Sequence, residues 1–568
     1  MTEFLIVIAL ALALGWPLGR YLAAVMRGAP MRGDRAFGLI ERPLYRLLGV
    51  DPARSMGWQE YARAFLLSNL VLGGIAWVLF MTQAWLPLNP NQAPNMRWDL
   101  ALHTAVSFLT NTNQQHYSGQ AQLSHLSQMT GLVGLQVITP MMGLALAAAT
   151  LRGLFGVPGA PIGPGDERGA RAGLGNYWAD IIRPAVRVLL PLCLLFSLLL
   201  TSQGVPATLQ GGPVATPLDA SAPMAGQKIP LGPVAAMVAV KQLGTNGGGW
   251  YGSNSAVPLE NPTPLSNLMQ TLAIVLLPVA VVFMAGALTG RKRLAALILG
   301  CMATLSVASA SLAVWSEAYS PSSADPALME GKEVRLGAQA SALWAALTTQ
   351  TSNGSVNAMH DSLAPLTGLV ALVNMLVNAI WGGIGSGLQQ FMVYLLLGVF
   401  LAGLMTGRTP ALCGRRIEAP EVRLLAVLVL LPPLVLLGLT ATSLAVPSLA
   451  GNSNPGFHGV SQVLYEYASA LANNGSGFEG LADASHWWNL SCAAALALGR
   501  YPALILPLAI AAMLARKRAA PQGPGTLDIE TPTFALTLIA VIAILAVLQF
   551  LPALVLGPVA EHLALAAS

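Results

Sequence analysis

Residues 234–249 read VAAMVAVKQLGTNGGG, a short apolar stretch that ends in threonine, asparagine and glycine. The same arrangement occurs at three other places in the chain. The apolar stretches are Ala101 to Leu109, Val234 to Leu243, Ala338 to Thr349 and Val463 to Ala472. The polar tetrads after them are Thr110-Asn111-Thr112-Asn113, Thr245-Asn246-Gly247-Gly248, Ser352-Asn353-Gly354-Ser355 and Asn473-Asn474-Gly475-Ser476. An asparagine recurs at 111, 246, 353 and 474, so the tetrads align by letter as TNTN, TNGG, SNGS and NNGS.

Apolar residues dominate the chain, which is 568 residues long, 55% hydrophobic and only 9% charged, with a mean hydropathy of +0.62. Soluble domains carry roughly 25% charged residues, so this composition predicts a polytopic membrane protein. Runs of about 20 apolar residues are long enough to cross the hydrocarbon layer as helices. We predict ten spans, near residues 3–26, 64–86, 127–151, 184–203, 264–289, 294–315, 365–407, 424–446, 487–515 and 532–556. The first run is longer than a signal-peptide core and no clean cleavage site follows it, so we expect it to be retained.

Each tetrad lies between two of these spans, in the order span, short helix, polar loop, span. The predicted fold is therefore all-α, with four such repeats and one extra span at each end of the chain. The predicted boundaries are 1–62 for the first span and its loop, 63–155, 156–290, 291–414 and 415–518 for the repeats, and 519–568 for the last span.

Lysine and arginine are distributed unevenly between the connections. Of the 29, 23 lie in alternate connections, namely 20–63, 152–187, 291–293, 408–423 and 516–518. Positively charged connections mark the cytoplasmic side of a membrane protein. We therefore expect both termini to lie outside.

The tetrads are the candidate functional site. Their short apolar stretches suit re-entrant helices rather than spans, and irregular backbone at membrane depth must line a cavity or be buried in protein. If repeat symmetry brings the tetrads together, the negative ends of four helix dipoles face one centre. Carbonyl, hydroxyl and amide oxygens can then replace the hydration shell of a cation. Because no carboxylate lies within the tetrads, we predict a site for a dehydrated monovalent cation rather than for calcium.

Asn-Gly pairs are also common turn residues in ordinary surface loops. Four copies, each preceded by a short apolar stretch and bracketed by spans, favour the ring instead. Gln115 follows the first tetrad and Glu466 lies in the fourth short helix. Gln115 is a candidate for an additional oxygen near the ring, and Glu466 is a candidate to add negative potential or to cap a neighbouring loop.

The seventh apolar run, 365–407, is too long for one crossing and contains WGGIGSG at 381–387. Glycine weakens a helix by about 1 kcal/mol per residue, so we predict a broken helix, with its glycines as candidates for a gate or tunnel. These are Gly382, Gly383, Gly385 and Gly387. The alternatives are two independent short helices, or close helix packing through Gly383 and Gly387.

Arg500 lies inside the ninth predicted span. An intramembrane arginine usually faces the bundle interior or a cavity. A fixed positive charge near the ring would discourage a cation from leaking straight across the membrane. The alternatives are a side chain that reaches the interface and one that pairs with a buried acid.

Several kinds of chemistry have no visible site. The five lysines stand neither in the GK[ST] context of a P-loop nor in the Asp-Lys-Thr motif of P-type pumps. HExxH and GxSxG are absent, and the four cysteines form no CxxC pair. We therefore expect no catalytic activity, no covalent cofactor and no ATP bound by this chain.

The strings around the tetrads resemble the potassium-binding subunits of the bacterial Kdp pump, within the Trk, Ktr and HKT superfamily of potassium transporters. These strings are Thr110 to Gln115 with Tyr117-Ser118-Gly119, Leu243 to Gly249 with Glu260-Asn261-Pro262, Gln350 to Asn357, and Gly403 to Pro410. The similarity extends over nearly the whole chain. Members of that family more often have tryptophan and phenylalanine where this chain has Gln114 and Trp250.

The resemblance implies that the tetrads bind external K⁺ and that a tunnel in the membrane delivers it to a P-type ATPase subunit, which hydrolyses ATP. It implies two further partners, a single-span subunit with a periplasmic domain and a small single-span peptide. It also implies a bacterial inner membrane, with lipids rather than nucleic acid around the chain. A mobile loop below the filter is implied for the third repeat.

Two other functions stay open at this point. A self-sufficient Trk-like potassium permease would conduct K⁺ without partners. A polytopic membrane enzyme would need chemistry in the connections, and the missing motifs argue against it.

Overall fold

The structure is a computed structural model that describes residues 2–156, 173–219, 221, 223–319, 329–521 and 527–567. Helices make up nearly all of its regular secondary structure. They are α1 Thr2–Arg27, α2 Asp34–Leu48, α3 Trp58–Thr82, α4 Trp98–Leu109, α5 Gly119–Gln122, α6 Gly134–Phe155, α7 Tyr177–Pro184, α8 Leu190–Ser202, α9 Val234–Leu243, α10 Pro264–Thr289, α11 Lys292–Tyr319, α12 Ala338–Gln350, α13 Pro365–Val377, α14 Ser386–Met405, α15 Ala419–Ala445, α16 Pro447–Ala450, α17 Gly456–Ala472, α18 His486–Ala515, α19 Pro532–Leu554 and α20 Ala560–Ala567. Two small antiparallel ribbons lie in the connections, β1 Val214–Ala215 with β2 Gln227–Lys228 and β3 Ala411–Leu412 with β4 Arg415–Arg416.

Among the described residues, ten helical segments are long and apolar enough to cross a membrane. They are Thr2–Arg27, Trp58–Trp85, Ser127–Phe155, Tyr177–Ser202, Pro264–Thr289, Lys292–Tyr319, Ser386–Met405, Ala419–Ala445, His486–Ala515 and Pro532–Ala567. The prediction of an all-α, ten-span membrane protein is therefore confirmed.

Two predicted repeat boundaries fall close to residues whose structure is not described. The boundary at 155–156 precedes residues 157–172, and the last predicted segment, 519–568, contains residues 522–526. The division into repeats stays a prediction.

The seventh predicted span is two helices. α13 ends at Val377 and α14 begins at Ser386, so the chain is non-helical from 378 to 385. Gly382 and Gly385 have φ values of 62° and 82°, which are left-handed conformations that favour glycine. The predicted break is present, and only α14 is long enough to cross the membrane.

Two helical segments lie outside the predicted apolar runs. α17 begins at Gly456, before the apolar stretch that starts at Val463. α19 ends at Leu554, close to the predicted end of the last span at 556, and α20 follows after a kink at Gly557. His458 in α17 hydrogen-bonds Asp361 and, in α20, Glu561, each at 2.7 Å. This contact joins the two additional segments.

Several spans begin with a local helix-start signal. Proline is at the first helical position of α10, α13 and α19, where its missing N–H costs nothing. The hydroxyls of Thr263 and Thr531 accept hydrogen bonds from backbone N–H groups in the first turns of α10 and α19. These caps satisfy donors that a helix leaves free at its N-terminus.

The spans differ in how deeply they are buried. Within their most apolar windows, 78% of the residues are buried for Ser127–Phe155 and for α10, but only 22% for α15 and 17% for Pro532–Ala567. An apolar helix that is mostly exposed in the protein faces lipid. The segment Ser127–Phe155 and α10 therefore form the centre of the bundle. These two helices pack behind the first two tetrads.

Candidate functional site

Four short helices, α4, α9, α12 and α17, lead directly into the tetrads. In each case the chain turns back on the last helical turn, where a backbone carbonyl accepts from the N–H of a tetrad residue. These hydrogen bonds run from Thr112 to Ser107 at 3.0 Å, from Asn246 to Lys241 at 3.0 Å, from Asn353 to Thr348 at 3.1 Å and from Asn474 to Ser469 at 2.9 Å. The carbonyl ends of all four helices are thus held against the loops.

The same hydrogen bonds correct the alignment of the first tetrad. Thr112, not Asn111, makes the bond that Asn246, Asn353 and Asn474 make in the other loops. The structurally equivalent tetrads are Asn111-Thr112-Asn113-Gln114, Thr245-Asn246-Gly247-Gly248, Ser352-Asn353-Gly354-Ser355 and Asn473-Asn474-Gly475-Ser476. The alignment by letter is wrong by one residue in the first loop. Thr110 lies at the end of α4, where its hydroxyl is 2.8 Å from that of Thr112.

Backbone conformation gives the reason for the corrected register. The third residue of every loop is left-handed, with φ of 58° at Asn113, 79° at Gly247, 79° at Gly354 and 105° at Gly475. Glycine adopts this region freely, and asparagine tolerates it better than most other residues. The asparagine of the first loop therefore stands in place of glycine, although the letters suggest another match.

The tetrads form a closed ring. Each third-position glycine lies so close to the next loop that an added methyl group would overlap a backbone carbonyl oxygen. The pairs are Gly247 with Asn353, Gly354 with Asn474, and Gly475 with Thr112. The ring is completed where Asn111 Nδ2 donates to the carbonyl oxygen of Thr245 at 3.0 Å. The four loops therefore contact one another in chain order, and the fourth contacts the first.

Side-chain amides hold neighbouring members of the ring in register. Asn353 Nδ2 donates to Lys241 O at 2.9 Å, and Asn474 Nδ2 donates to Thr348 O at 2.9 Å. Each amide thus binds the helix end of the preceding loop. Because these two side chains bind the neighbouring loop, they fix the distance between adjacent tetrads.

A cavity of about 220 Å³ opens on one side of the ring, and we call it the vestibule. Its lining includes Asn113, Gln114, Gln115, Gly247, Gly354, Gly475, Ser476, Glu466, Glu479 and Asp483. Burial raises the pKa of Glu479 to about 8. Burial also raises the pKa of Asp483, to about 6, although the nearby His116 opposes the shift. These raised pKa values mean that Glu479 is mostly neutral at neutral pH, whereas an ionised Asp483 would raise the local concentration of cations.

Gln115 lines the vestibule beside the ring. Its amide makes two hydrogen bonds with the backbone of Gly249, accepting from N at 2.9 Å and donating to O at 3.1 Å. Its side chain therefore holds the segment after the second tetrad in place at the edge of the vestibule.

The glycine-rich break lies against the opposite side of the ring. The N–H of Ile384 donates to Thr245 Oγ1 at 3.1 Å, and Ser352 Oγ donates to Asn378 Oδ1 at 2.8 Å. Asn378 Nδ2 in turn donates to the carbonyl oxygen of Ala472 at 3.0 Å. Residues 378–385 thus contact the first positions of the second and third tetrads and the helix end that precedes the fourth. Of the predicted glycines, Gly383 is the one beside Thr245 and Ser352, and Gly382 packs on Gly387.

Arg500 is buried next to this break, with only 4% of its surface exposed. A methyl group built on Gly143 would lie 3.1 Å from Arg500 Nη2 and 2.7 Å from the carbonyl oxygen of Ile384. Within the described residues, no acid forms an ion pair with Arg500. The alternative of a pair with a buried acid therefore has no support among these residues.

A buried ion pair behind the second tetrad escaped the sequence analysis. The ammonium group of Lys241 contacts Glu260, and both side chains are fully buried. Glu260 Oε1 also accepts from the N–H groups of Trp250 and Tyr251, at 2.7 and 3.0 Å. A lysine inside an otherwise apolar short helix was the available signal, but its partner lies 19 residues away in a loop.

One group of side chains has a metal-like set of donors. Donor atoms of His116, Glu466 and Cys492 lie within 4.8 Å of one another and are buried. Hydrogen bonds to Asn489 and Gln114 already use the histidine and the carboxylate. We therefore assign this group to a hydrogen-bond network.

Ten apolar spans around a closed ring of four polar loops define a polytopic helical membrane protein with a central polar site. The chain belongs to the family described as potassium-transporting ATPase A subunit, whose sequence profile matches residues 5–563. The expectation drawn from the strings around the tetrads is therefore confirmed.

Named relatives cover nearly the full length. The potassium-transporting ATPase potassium-binding subunit of Gloeobacter violaceus is 45% identical over 560 residues, covering 96% of this chain and 95% of that one. The subunit of the same name from Pseudomonas putida is 44% identical over 557 residues, with 96% of each chain covered. Among solved structures, the crystal structure of the potassium transporter TrkH from Vibrio parahaemolyticus has a TM-score of 0.49 and 14% identity. The match covers 78% of this chain and 84% of that one.

Proposed function

We propose that the ring of tetrads is a K⁺ filter and that this chain is the potassium-binding, non-catalytic subunit of an ATP-driven potassium importer. The observation that carries the proposal is the closed ring, in which the carbonyl ends of four helices meet and each left-handed residue packs on the next loop. Helix C-termini carry partial negative charge, and oxygen rings replace the water around a cation. The absence of carboxylates from the tetrads favours a monovalent ion.

The relatives' names support K⁺ as the ion and an ATPase as the assembly. On this proposal K⁺ enters from the vestibule and passes the ring. It then enters an intramembrane tunnel that leads to a P-type catalytic subunit. On this proposal that subunit, and not this chain, binds the ATP. A single-span subunit with a periplasmic domain and a small single-span peptide complete the complex.

Residues 378–385 and Arg500 are the proposed gate. The break contacts the first positions of the second and third tetrads and the helix end before the fourth, so on this proposal it lies on the direct path across the membrane. The buried charge of Arg500 beside it would repel a cation that continued straight on. Together they favour passage of K⁺ into the intramembrane tunnel over passage straight across the membrane.

The charge distribution supports an inner-membrane orientation with both termini outside and the vestibule facing the periplasm. The basic connections lie on the opposite side. A fusion of a periplasm-active reporter to residue 568, compared with one at residue 517, tests this orientation, since only the first is expected to be active.

Gly247→Asp tests the filter in the complex purified with its co-expressed partners. Any side chain at Gly247 would overlap the carbonyl oxygen of Asn353, so Gly247→Asn is a matched control that introduces the same overlap without the charge. We expect Gly247→Asp to raise the K⁺ concentration for half-maximal ATPase activity at least tenfold relative to Gly247→Asn, with the complex still assembled. Identical K⁺ dependence of the two variants and the wild type would exclude the ring as the selecting site.

The same preparation separates an importer subunit from a self-sufficient permease. Proteoliposomes with this chain alone are expected to show no K⁺ flux above empty vesicles. Selective K⁺ conduction by the isolated chain would favour the permease.

A further inference from the structure

Gln114 is the outermost member of the first loop, equivalent to Gly248, Ser355 and Ser476. Its side chain is held by hydrogen bonds at the edge of the vestibule. Gln114 Nε2 donates to Glu466 Oε1 and, at 3.3 Å, to the carbonyl oxygen of Glu466. Its Oε1 lies 3.4 Å from His103 Nε2. Glu466, in the fourth short helix, therefore anchors a residue of the first loop.

His116 is the second partner of Glu466. The two imidazole nitrogens of His116 lie 2.8 Å from Asn489 Oδ1 and 3.3 Å from Glu466 Oε1. Both His116 and Glu466 are buried, so the state of this pair contributes directly to the electrostatic potential at the vestibule.

Hydrogen-bond direction determines the charge of His116. Arg97 donates two hydrogen bonds to Asp99, at 2.5 and 2.8 Å, so Asp99 is a carboxylate and can only accept. Asn489 must then turn its NH₂ group toward Asp99, at 2.9 Å, and its oxygen toward His116. An amide oxygen lies on one side of His116 and the Glu466 carboxyl group on the other. The ionised form of Glu466 requires both nitrogens of His116 to donate, which makes His116 an imidazolium ion paired with that carboxylate.

The stacked ring of His103 agrees with this assignment. Its centroid lies 3.8 Å from that of His116 and the two planes differ by 15°. Two stacked cations would repel each other, so His103 is neutral, with its proton on Nε2 toward Gln114. Its Nδ1 has no hydrogen-bond partner among the residues that the structure describes, as expected for the unprotonated nitrogen.

We propose that His116 and Glu466 are positioning residues of the filter. They form a charge-neutral pair that holds the Gln114 amide at the outer edge of the ring, and this position of the amide sets the K⁺ affinity of the filter. The inference rests on the proposed K⁺ filter. Glu466 lines the vestibule, where Glu479 and Asp483 also lie. Among the described residues that line the vestibule, Glu466 is the acid that hydrogen-bonds a ring residue, and the imidazolium balances its charge. The outer edge of the first loop is thus closed by a neutral amide.

The test is a charge cycle in the purified complex, with K⁺-stimulated ATPase activity as the readout. Glu466→Gln keeps an oxygen for Gln114 but leaves an unpaired imidazolium, so half-saturation is expected to need three- to tenfold more K⁺, with kcat changed less than twofold. His116→Gln keeps a donor to Asn489 but leaves an unpaired carboxylate. Half-saturation is then expected to need less K⁺, and stimulation by Na⁺ is expected to rise. The double variant is expected to return to within twofold of the wild type.

Opposite signs with recovery in the double variant are the signature of a charge pair, because a merely structural pair would weaken K⁺ binding in every variant. Shifts in the same direction, or additive shifts in the double variant, would overturn the proposal. Glu333→Gln is the matched control, since it removes a carboxylate that pairs only with Arg335 among the described ion pairs. If Gly247→Asp leaves K⁺ dependence unchanged, the filter itself is wrong. If Gly247→Asp changes the K⁺ dependence but the Glu466 and His116 variants do not, the filter stands and only the role of the His116–Glu466 pair is refuted.

Discussion

The side-chain amide of Asn474 donates a hydrogen bond of 2.9 Å to the carbonyl oxygen of Thr348, in the short helix that precedes the third tetrad. Asn353 makes the corresponding bond to Lys241, also at 2.9 Å. The third and fourth tetrads are therefore each tied to the helix before the preceding tetrad. The geometry of the ring depends on pairs of residues more than 100 positions apart in the chain.

Replacement of this donor should loosen the ring. Asn474→Asp keeps the shape of the side chain but removes the N–H group and places an acceptor against a carbonyl oxygen. An unsatisfied buried polar group costs about 1–3 kcal/mol. We expect a lower melting temperature of the complex and at least tenfold weaker K⁺ activation. Gln210→Glu, an amide-to-acid change at an exposed residue, is the control, and equal behaviour of the two variants would contradict the prediction.

Asn378 connects the break to the ring through Ser352 and Ala472. Its φ of 46° suits glycine, so Asn378→Gly removes the side chain without straining the backbone. We expect the loop to be less firmly held and passive K⁺ flux through the complex in proteoliposomes without ATP to rise at least threefold. Flux equal to that of the wild type would show that the loop does not obstruct the path.

Arg500→Met removes the buried charge and keeps much of the side-chain volume. Because no acid among the described residues pairs with Arg500, the substitution leaves no counter-charge exposed there. We expect fewer K⁺ ions transported per ATP hydrolysed, with K⁺ activation of the ATPase retained. Arg500→Lys, which keeps the charge, should couple nearly normally. The same loss in both variants would point to a packing role.

The buried pair of Lys241 and Glu260 supports the second tetrad from behind. Removal of one member of a buried pair typically costs about 3–5 kcal/mol, because the other charge is left without a partner. Lys241→Met is therefore expected to reduce the yield of assembled complex, measured by size-exclusion chromatography. Lys241→Met with Glu260→Gln should assemble better than Lys241→Met alone. If the double variant assembles worse, the pair does more than neutralise charge.

Stability should depend on pH through His458. Although burial opposes its protonation, hydrogen bonds and charge from Asp361 and Glu561 raise the pKa of His458 to about 10, above the value of about 6.5 in an unfolded chain. A raised pKa means that the folded state binds the proton more tightly. This contribution is complete below about pH 6.5 and is lost as the pH rises toward 10.

Thermal unfolding of the purified complex between pH 6.5 and 10 measures this contribution. The melting temperature of the wild type should fall with rising pH more steeply than that of His458→Gln, which cannot carry the charge. Parallel curves for the two proteins would refute the role of His458.

Much of this protein can be predicted from local sequence. A run of about 20 apolar residues must be a helix in lipid, since only helices and closed barrels satisfy every backbone group there. Ten spans and the short helices before the tetrads follow from that constraint, and the glycines of 381–387 predict the break in the seventh apolar run. The tetrads were also visible, because glycine, asparagine and threonine rarely interrupt such runs four times.

Only tertiary structure decides which residues are equivalent and what holds them. The first tetrad is shifted by one residue because backbone conformation, not residue identity, sets the register at Asn113. The partners Lys241 with Glu260, Gln114 with Glu466 and Asn353 with Lys241 come from segments that no local pattern connects. A buried polar group must find a partner wherever packing brings one, so these pairings are a property of the closed ring and not of any stretch of sequence within it.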